Sequence, residues 1–439
     1  MTRTFAGLVA ALAVVLSGCS AAGPDAGSDA ERSASRSPAT TAVPAPTTPP
    51  SPSPTATATT EDPFVNLSQD ELDARLLAAA WKNDVAAARR LIDAGADVNA
   101  KDDTVQSAYL VATSEGYLRL LDLTLRHGAD VASLDSYRGT GLIRAAERGH
   151  AAVVGRLVQE DIALDHVNRL GWVALHEALI FAKAERADDY VDTVRVLVAA
   201  GADVTVPSRK DGVTPLAHAR SAGLDAQAGL LRRAAAAERV TRAEADARLL
   251  RAAERGDPDG VALALRAGAD LEARNADRQT ALLLAAAHDR TAVARLLVAL
   301  GADPDALDGR HDTPWLVTGV TGSVEMLEIL LPAGPDLTIK NRFGGLSPIP
   351  ASERGHVDYV RRVVRTDVDL DHVNDLGWTA LLEAVILGDG SRPYQQIVRT
   401  LVDAGVDTSI ADHDGRTALE HARSRGFDAI ARTLEAAAR

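Results

Sequence analysis

The chain has 439 residues, 46% of them apolar but only 3% aromatic, and a formal net charge of −14. Apolar content carried by Ala and Leu suits helices packed through small side chains better than sheets. The acidity repels phosphate backbones, and Lys and Arg alternate with Asp and Glu without forming a basic patch, so nucleic acid is not an expected partner. The one cysteine, Cys19, rules out an intramolecular disulfide and any multi-cysteine metal site.

The N-terminus reads as an address. Arg3 precedes an uncharged run from Phe5 to Leu16. At about 12 residues this run is too short to cross a bilayer, which takes roughly 20, but it suits the core of a signal peptide. It ends in Leu16-Ser17-Gly18-Cys19, which resembles the lipobox of bacterial lipoproteins. The resemblance implies that residues 1–19 are a lipoprotein signal peptide with its lipobox and that Cys19 is the lipid attachment site. The protein would then be exported and lipid-anchored to the outer face of the cell membrane. An ordinary cleaved signal peptide is the alternative. Residues 20–62 are dominated by Pro, Ser, Thr and Ala and are expected to be a disordered linker. Fully extended at about 3.1 Å per residue, such a tether reaches about 130 Å.

From about residue 68 the chain repeats itself. Gly-Ala-Asp begins at Gly95, Gly128, Gly201, Gly268 and Gly301, with weaker copies at Gly334 and Gly405 and degenerate ones at Asp161 and Asp367. The recurring spacing is 33 residues. Thr214, Thr280, Thr313 and Thr417 each precede an apolar run, where a hydroxyl can cap a helix start, and the glycines supply left-handed turns at helix ends. Phased in this way, the fragments Leu175-His176-Glu177-Ala178 and Thr214-Pro215-Leu216 resemble the ankyrin-repeat family. That resemblance implies an all-α solenoid of helix pairs with β-turn fingers.

A larger period lies above the first. The capping boxes at Ser68–Glu71 and Thr241–Glu244 each precede Asp-Ala-Arg-Leu-Leu, and Asp165-His166-Val167-Asn168 returns as Asp371-His372-Val373-Asn374. The first offset is 173 and the second 206, so one module occurs twice, with an extra repeat near 275–307 in the second copy. The expected modules are 63–240, about five repeats, and 241–439, about six. Insertions fall at Ala182–Asp189 and Leu387–Pro393, read either as tolerated surface loops or as partner contacts. The Ala-rich stretch 229–245, without a glycine after Gly229, predicts a continuous or closely docked stack. Two prolines in Phe343–Pro350 predict a shortened or irregular first helix there.

No nucleophile, base and orienting group fall together, no phosphate loop is present, and the histidines recur at structural phases of the repeat. Carboxylates are read as lying on solvated helix faces or fingers. No catalytic, cofactor-binding or metal site is therefore expected, and no cofactor. Finger tips are where the family resemblance implies contact with partners. Among their side chains, Tyr137, Arg138, Arg169, Trp172, Arg278, Arg310, Arg342, Phe343, Trp378 and Arg416 are the candidates, since Trp, Tyr and Arg dominate interface energies. The expected protein is a monomeric, membrane-tethered, extracytoplasmic scaffold for an unidentified protein partner, touching the membrane through its lipid only. The alternative is a structural lipoprotein associated with cell wall or glycan.

Overall fold

Most repeats start where a hydroxyl meets free helix N–H groups, the exceptions being those led by Val173 and Ser347. The Thr214, Thr280, Thr313 and Thr417 side chains each accept from the backbone N–H three residues on, and both sequence-read capping boxes form, Ser68 with Glu71 and Thr241 with Glu244. The computed structural model describes residues 67–438. The Cys19 lipobox and the whole of the 20–62 linker lie outside the described residues.

The helices form pairs in chain order: α1 (Gln69–Trp81) with α2 (Val85–Asp93), α3 (Ala108–Glu115) with α4 (Leu118–Arg126), α5 (Gly141–Glu147) with α6 (Ala151–Val158), α7 (Ala174–Ile180) with α8 (Ala187–Ala199), and α9 (Pro215–Ser221) with α10 (Asp225–Ala235). Then follow α11 (Arg242–Arg255) with α12 (Pro258–Arg266), α13 (Ala281–Ala287) with α14 (Thr291–Ala299), and α15 (Pro314–Thr321) with α16 (Val324–Leu330). The last are α17 (Pro348–Glu353) with α18 (Val357–Val363), α19 (Ala380–Ile386) with α20 (Arg392–Asp403), and α21 (Ala418–Ser424) with α22 (Asp428–Ala437). Among the described residues there is no named strand, only two isolated bridges at the fingers, Leu134 with Thr140 and Ala411 with Thr417. The architecture is an all-α solenoid of helix pairs. Gly95, Gly128, Gly201, Gly268 and Gly301 all have positive φ just past an outer helix, the left-handed turn that glycine adopts without strain.

The first helices of the pairs stack as an inner row, α1 on α3, α3 on α5, α5 on α7 and α7 on α9; α11 to α21 form a second such row. Small and branched side chains fill the space between the rows, from Leu76 and Ala80 through Val154 and Leu157 to Ile397 and Leu401, all fully buried. Proline shortens α17 to six residues, and its leading residue Ser347 makes no capping bond.

The stack is not continuous, contrary to the first of the two expectations for 229–245. The helix stops at Ala235, a non-helical segment runs to Thr241, and α11 does not stack on α9 as α9 stacks on α7. The chain instead turns so that the outer helices meet back to back, α8 on α12 and α6 on α14. Closely docked is the arrangement that forms. Arg195 Nε donates to Asp259 Oδ1 at 2.7 Å, and Arg233 pairs with the other oxygen of Asp259. Arg266 Nη1 donates to the Ala202 carbonyl at 2.7 Å, and Gln159 Nε2 to that of Ala299 at 2.9 Å. Gly155 makes the closest approach: a Cβ there would stand 2.2 Å from the Ala299 carbonyl oxygen. Ala299 belongs to α14, the outer helix of the repeat that the second module has in excess, and Arg295 of the same helix brings Nε within 3.5 Å of Asp192 Oδ2 in α8.

Both insertions run into the outer helix that follows. They lengthen α8 to 13 residues and α20 to 12, against 9 in α2 and α14 and 7 in α16 and α18. Tyr190 and Tyr394 pin them, each hydroxyl donating to a carbonyl of the preceding repeat, Glu147 at 3.0 Å and Glu353 at 2.9 Å.

Candidate functional site

The fingers are organised by one side chain apiece. Asp135 accepts from the N–H groups of Tyr137 and Gly139, Asn168 from Leu170 and Trp172, Asn341 from Phe343 and Gly345, and Asn374 from Leu376 and Trp378. Such a loop puts the third residue after the aspartate or asparagine in the left-handed region. Glycine occupies that place at Gly171, Gly344 and Gly377, but Arg138, Arg278 and His311 hold it at φ +57°, +64° and +62°. Adjacent fingers are joined by backbone bonds, Arg169 N–H to the Tyr137 carbonyl at 2.8 Å and Asp375 N–H to that of Phe343 at 3.0 Å.

Between the fingers and the inner row of the second module runs a groove of about 410 Å³. Its apolar surface comes from Val320, Phe343, Leu376 and Leu387, all exposed. Arg310, Arg342 and Arg354 stand over it, the Arg342 guanidinium 4.5 Å from the Phe343 ring centroid. Its floor is acidic. Glu383 is only 4% exposed and accepts from Asn374 Nδ2 at 2.9 Å. Burial, reinforced by the nearby Glu353, pushes the Glu383 carboxyl up to about 7 against the single opposing bond from Asn374. Asp312 is likewise raised, by burial first and then by Asp308, with Arg342 and Arg310 opposing.

The first module repeats this construction at matching positions. Tyr137 stands where Phe343 does, Phe181 where Leu387 does, and Glu147 and Glu177 where Glu353 and Glu383 do. Glu177 is 3% exposed, accepts from Asn168, and is raised to about 7 by burial and then by Glu147. Trp172 meets Phe181 edge-on at 6.3 Å, and the Lys210 ammonium lies 5.4 Å from the Trp172 ring centroid.

Of the candidate contact residues, Tyr137, Arg138, Arg169, Arg278, Arg310, Arg342, Phe343 and Arg416 are exposed, and Trp172 and Trp378 half-buried. The structure brings Arg310, Arg342 and Phe343 together on one groove. Arg416 sits apart and bonds Ser424, and Trp378 packs against the core. The expectation that carboxylates are solvated fails at Asp135, Glu177, Asp308 and Glu383, all buried. The two aspartates close finger turns, and the two glutamates sit over the asparagines that do the same. Glu177, Glu383 and Phe181 escaped sequence reasoning, whereas Leu387 opens one of the insertions read there as a surface loop or a partner contact; recurrence with Asn168 and Asn374 at the 206-residue offset was the available signal.

The histidines serve the repeat. His150 and His356 each place Nε2 3.1 Å from a carbonyl one repeat back, of Ser114 and Val320, and His166 and His372 reach the Arg138 and Gly344 carbonyls. Among the described residues no group of three His, Cys, Asp or Glu side chains could hold a metal ion, and no helix is long and apolar enough to cross a membrane.

The sequence profile described as "Ankyrin repeats (3 copies)" matches residues 108–208 and 249–341. A crystallised ankyrin repeat domain from Acinetobacter baumannii AYE is 43% identical over 97% of its own length and 43% of this chain, with a TM-score of 0.42. The chain belongs to the ankyrin-repeat family. A second crystallised ankyrin repeat protein, EF0377, is 36% identical over the same shares, also with a TM-score of 0.42. Among curated relatives, the array is 42% identical over 125 residues to a protein of Escherichia coli (strain K12) named as ankyrin repeat protein YahD, a match that covers 28% of this chain and 62% of that protein. It is 30% identical over 118 residues to the nuclear factor NF-kappa-B p105 subunit of Rattus norvegicus, covering 26% of this chain and 11% of that one. The chain thus spans less than two thirds of the length of either curated relative.

Proposed function

We propose that this ankyrin array is a scaffold outside the cytoplasm, tethered as a monomer to the outer face of the cell membrane through lipid on Cys19, that holds a protein partner in its finger-side grooves. The observation that carries the reading is the groove itself: exposed Phe343, Leu376 and Leu387 beside Arg310 and Arg342, with an aromatic counterpart at Tyr137 and Phe181 in the first module. Large apolar side chains spared from the core and set beside arginines are the composition of binding centres. The tether rests on the lipobox-like Leu16–Cys19 and the Pro/Ser/Thr/Ala stretch after it.

Capture from detergent-solubilised native membranes with the full chain tests the binding half. Phe343→Ala together with Leu376→Ala should abolish retention of a specific partner; retention unchanged by that pair would remove the groove from the reading. An anchor at a desolvated centre is worth about 2 kcal/mol, roughly 30-fold in Kd. Cys19→Ser should move the protein from the membrane to the soluble fraction. Retention on wall material that depends on residues 20–62 and not on the grooves would favour the structural lipoprotein instead.

A further inference from the structure

The two modules share an acidic pocket, and only the first holds a cation of its own. There the Arg144 guanidinium lies between Asp135, with Nε to Oδ2 at 3.5 Å, and Glu147, which pairs with its Nη1; Glu177 makes no ion pair with it and feels its charge at longer range, with Oε2 buried and free of any hydrogen bond. A planar guanidinium with a fork of donors suits such a spread of carboxylates.

The positions 206 residues on read Asn341, Pro350, Glu353 and Glu383. The cation is gone, one of the three acids has become neutral, and the two glutamates remain. No Arg or Lys pairs with Glu353 or Glu383 among the described residues; Arg354 lines the same groove and makes no ion pair with either. The Glu383 side chain is almost wholly buried at the groove floor. One oxygen takes the Asn374 bond, and the other receives no hydrogen bond among the described residues. Two neighbouring carboxylates with no counter-charge repel, and a cation between them relieves both. The space above them is open and flanked by Phe343, Leu376 and Leu387.

We infer that the groove of the second module takes an arginine side chain from an extended segment of the protein partner, its guanidinium paired with Glu353 as Arg144 is with Glu147 and reaching the free oxygen of Glu383. Apolar neighbours of that arginine lie on Phe343, Leu376 and Leu387. The inference rests on the scaffold reading above and names the chemistry the partner brings.

The test is calorimetric titration of the full chain in detergent with acetyl-Leu-Arg-Leu-amide at millimolar concentration, beside the same peptide with neutral citrulline in place of arginine. The arginine probe binds once per chain. Citrulline in the probe, or Glu383→Gln in the protein, each weakens binding about tenfold, as loss of a charge-assisted pair should, and the two changes together weaken it no further. Pro350→Arg supplies the cation in cis and abolishes probe binding while circular dichroism stays unchanged. No binding of the arginine probe, equal binding of the citrulline probe, or indifference to Glu383→Gln overturns the inference. Partner capture lost with Phe343→Ala but kept with Glu383→Gln would sink the arginine and leave the scaffold standing.

Discussion

Arg195 and Asp259 are 64 positions apart in the chain and 2.7 Å apart in space, Nε to Oδ1, across the back-to-back contact of the two modules. Their side chains are only 18% and 20% exposed, and Asp259 also takes Arg233 while Arg195 also takes Asp192. The pair joins surfaces that an uninterrupted solenoid would leave in solvent.

Asp259→Asn removes the carboxylate shared by two guanidiniums at that contact, leaving Arg195 with Asp192 and half-exposed Arg233 with solvent. It should cost about 1 kcal/mol of stability, the charge-assisted bond from Arg195 being the part that solvent does not replace. Urea denaturation should then split into two steps as the modules uncouple. A single transition with an unshifted midpoint would show that the contact rests on packing alone.

Gly155→Ala and Gly229→Ala should have opposite signs. Both glycines lie in outer helices, where alanine is ordinarily better by about 1 kcal/mol. A Cβ at 229 meets nothing within 4 Å, so that substitution should stabilise by roughly this amount. At 155 the Cβ would press on backbone, the Ala299 carbonyl, and overpacking there should cost about 1–3 kcal/mol. Thermal melting of the two variants decides it.

Glu177 and Glu383 make the array sensitive to pH. Each carboxyl is held at about 7, above the ordinary glutamate value of 4.5, by burial and then by Glu147 or Glu353. The folded state holds these protons where the unfolded chain releases them. The resulting stability is complete below pH 4.5 and is lost as pH rises through about 7. Above that, each site costs on the order of 3 kcal/mol relative to its neutral form. Glu177→Gln and Glu383→Gln should each raise stability at pH 8 and flatten the profile between pH 4.5 and 7. Denaturation midpoints across that range that fall no less steeply in the variants would refute this.

Arg138 and Arg278 occupy a left-handed place that other fingers give to glycine. Holding a residue with a Cβ there costs about 1 kcal/mol. Arg278→Gly should therefore stabilise by about that much. If the side chain is kept for a partner, capture should weaken at the same time; capture that is unaffected would make Arg278 a solvated charge.

The repeat, its caps and its glycine turns were legible because each is set within a few residues. Thr280 caps a helix that starts beside it, and Gly301 ends one beside it. The irregular α17 was legible for the same reason, two prolines in its first turn. The candidate site was half legible. Phe343, Arg342 and Arg310 stood out by type, whereas Glu383 looked like any helix-face carboxylate until Asn374 and the groove were seen around it.

By itself the sequence determined the unit, its phase and its duplication, since these follow from hydrogen bonds and side-chain periods spanning at most one repeat. Tertiary structure decided how the two modules meet. That contact depends on Gly155 finding Ala299 and Arg195 finding Asp259, residues of ordinary outer helices whose own neighbours leave them looking like solvated surface. Nothing local distinguishes a surface helix that will be covered from one that will not, because the distinguishing energy is shape and charge fit with a segment far along the chain.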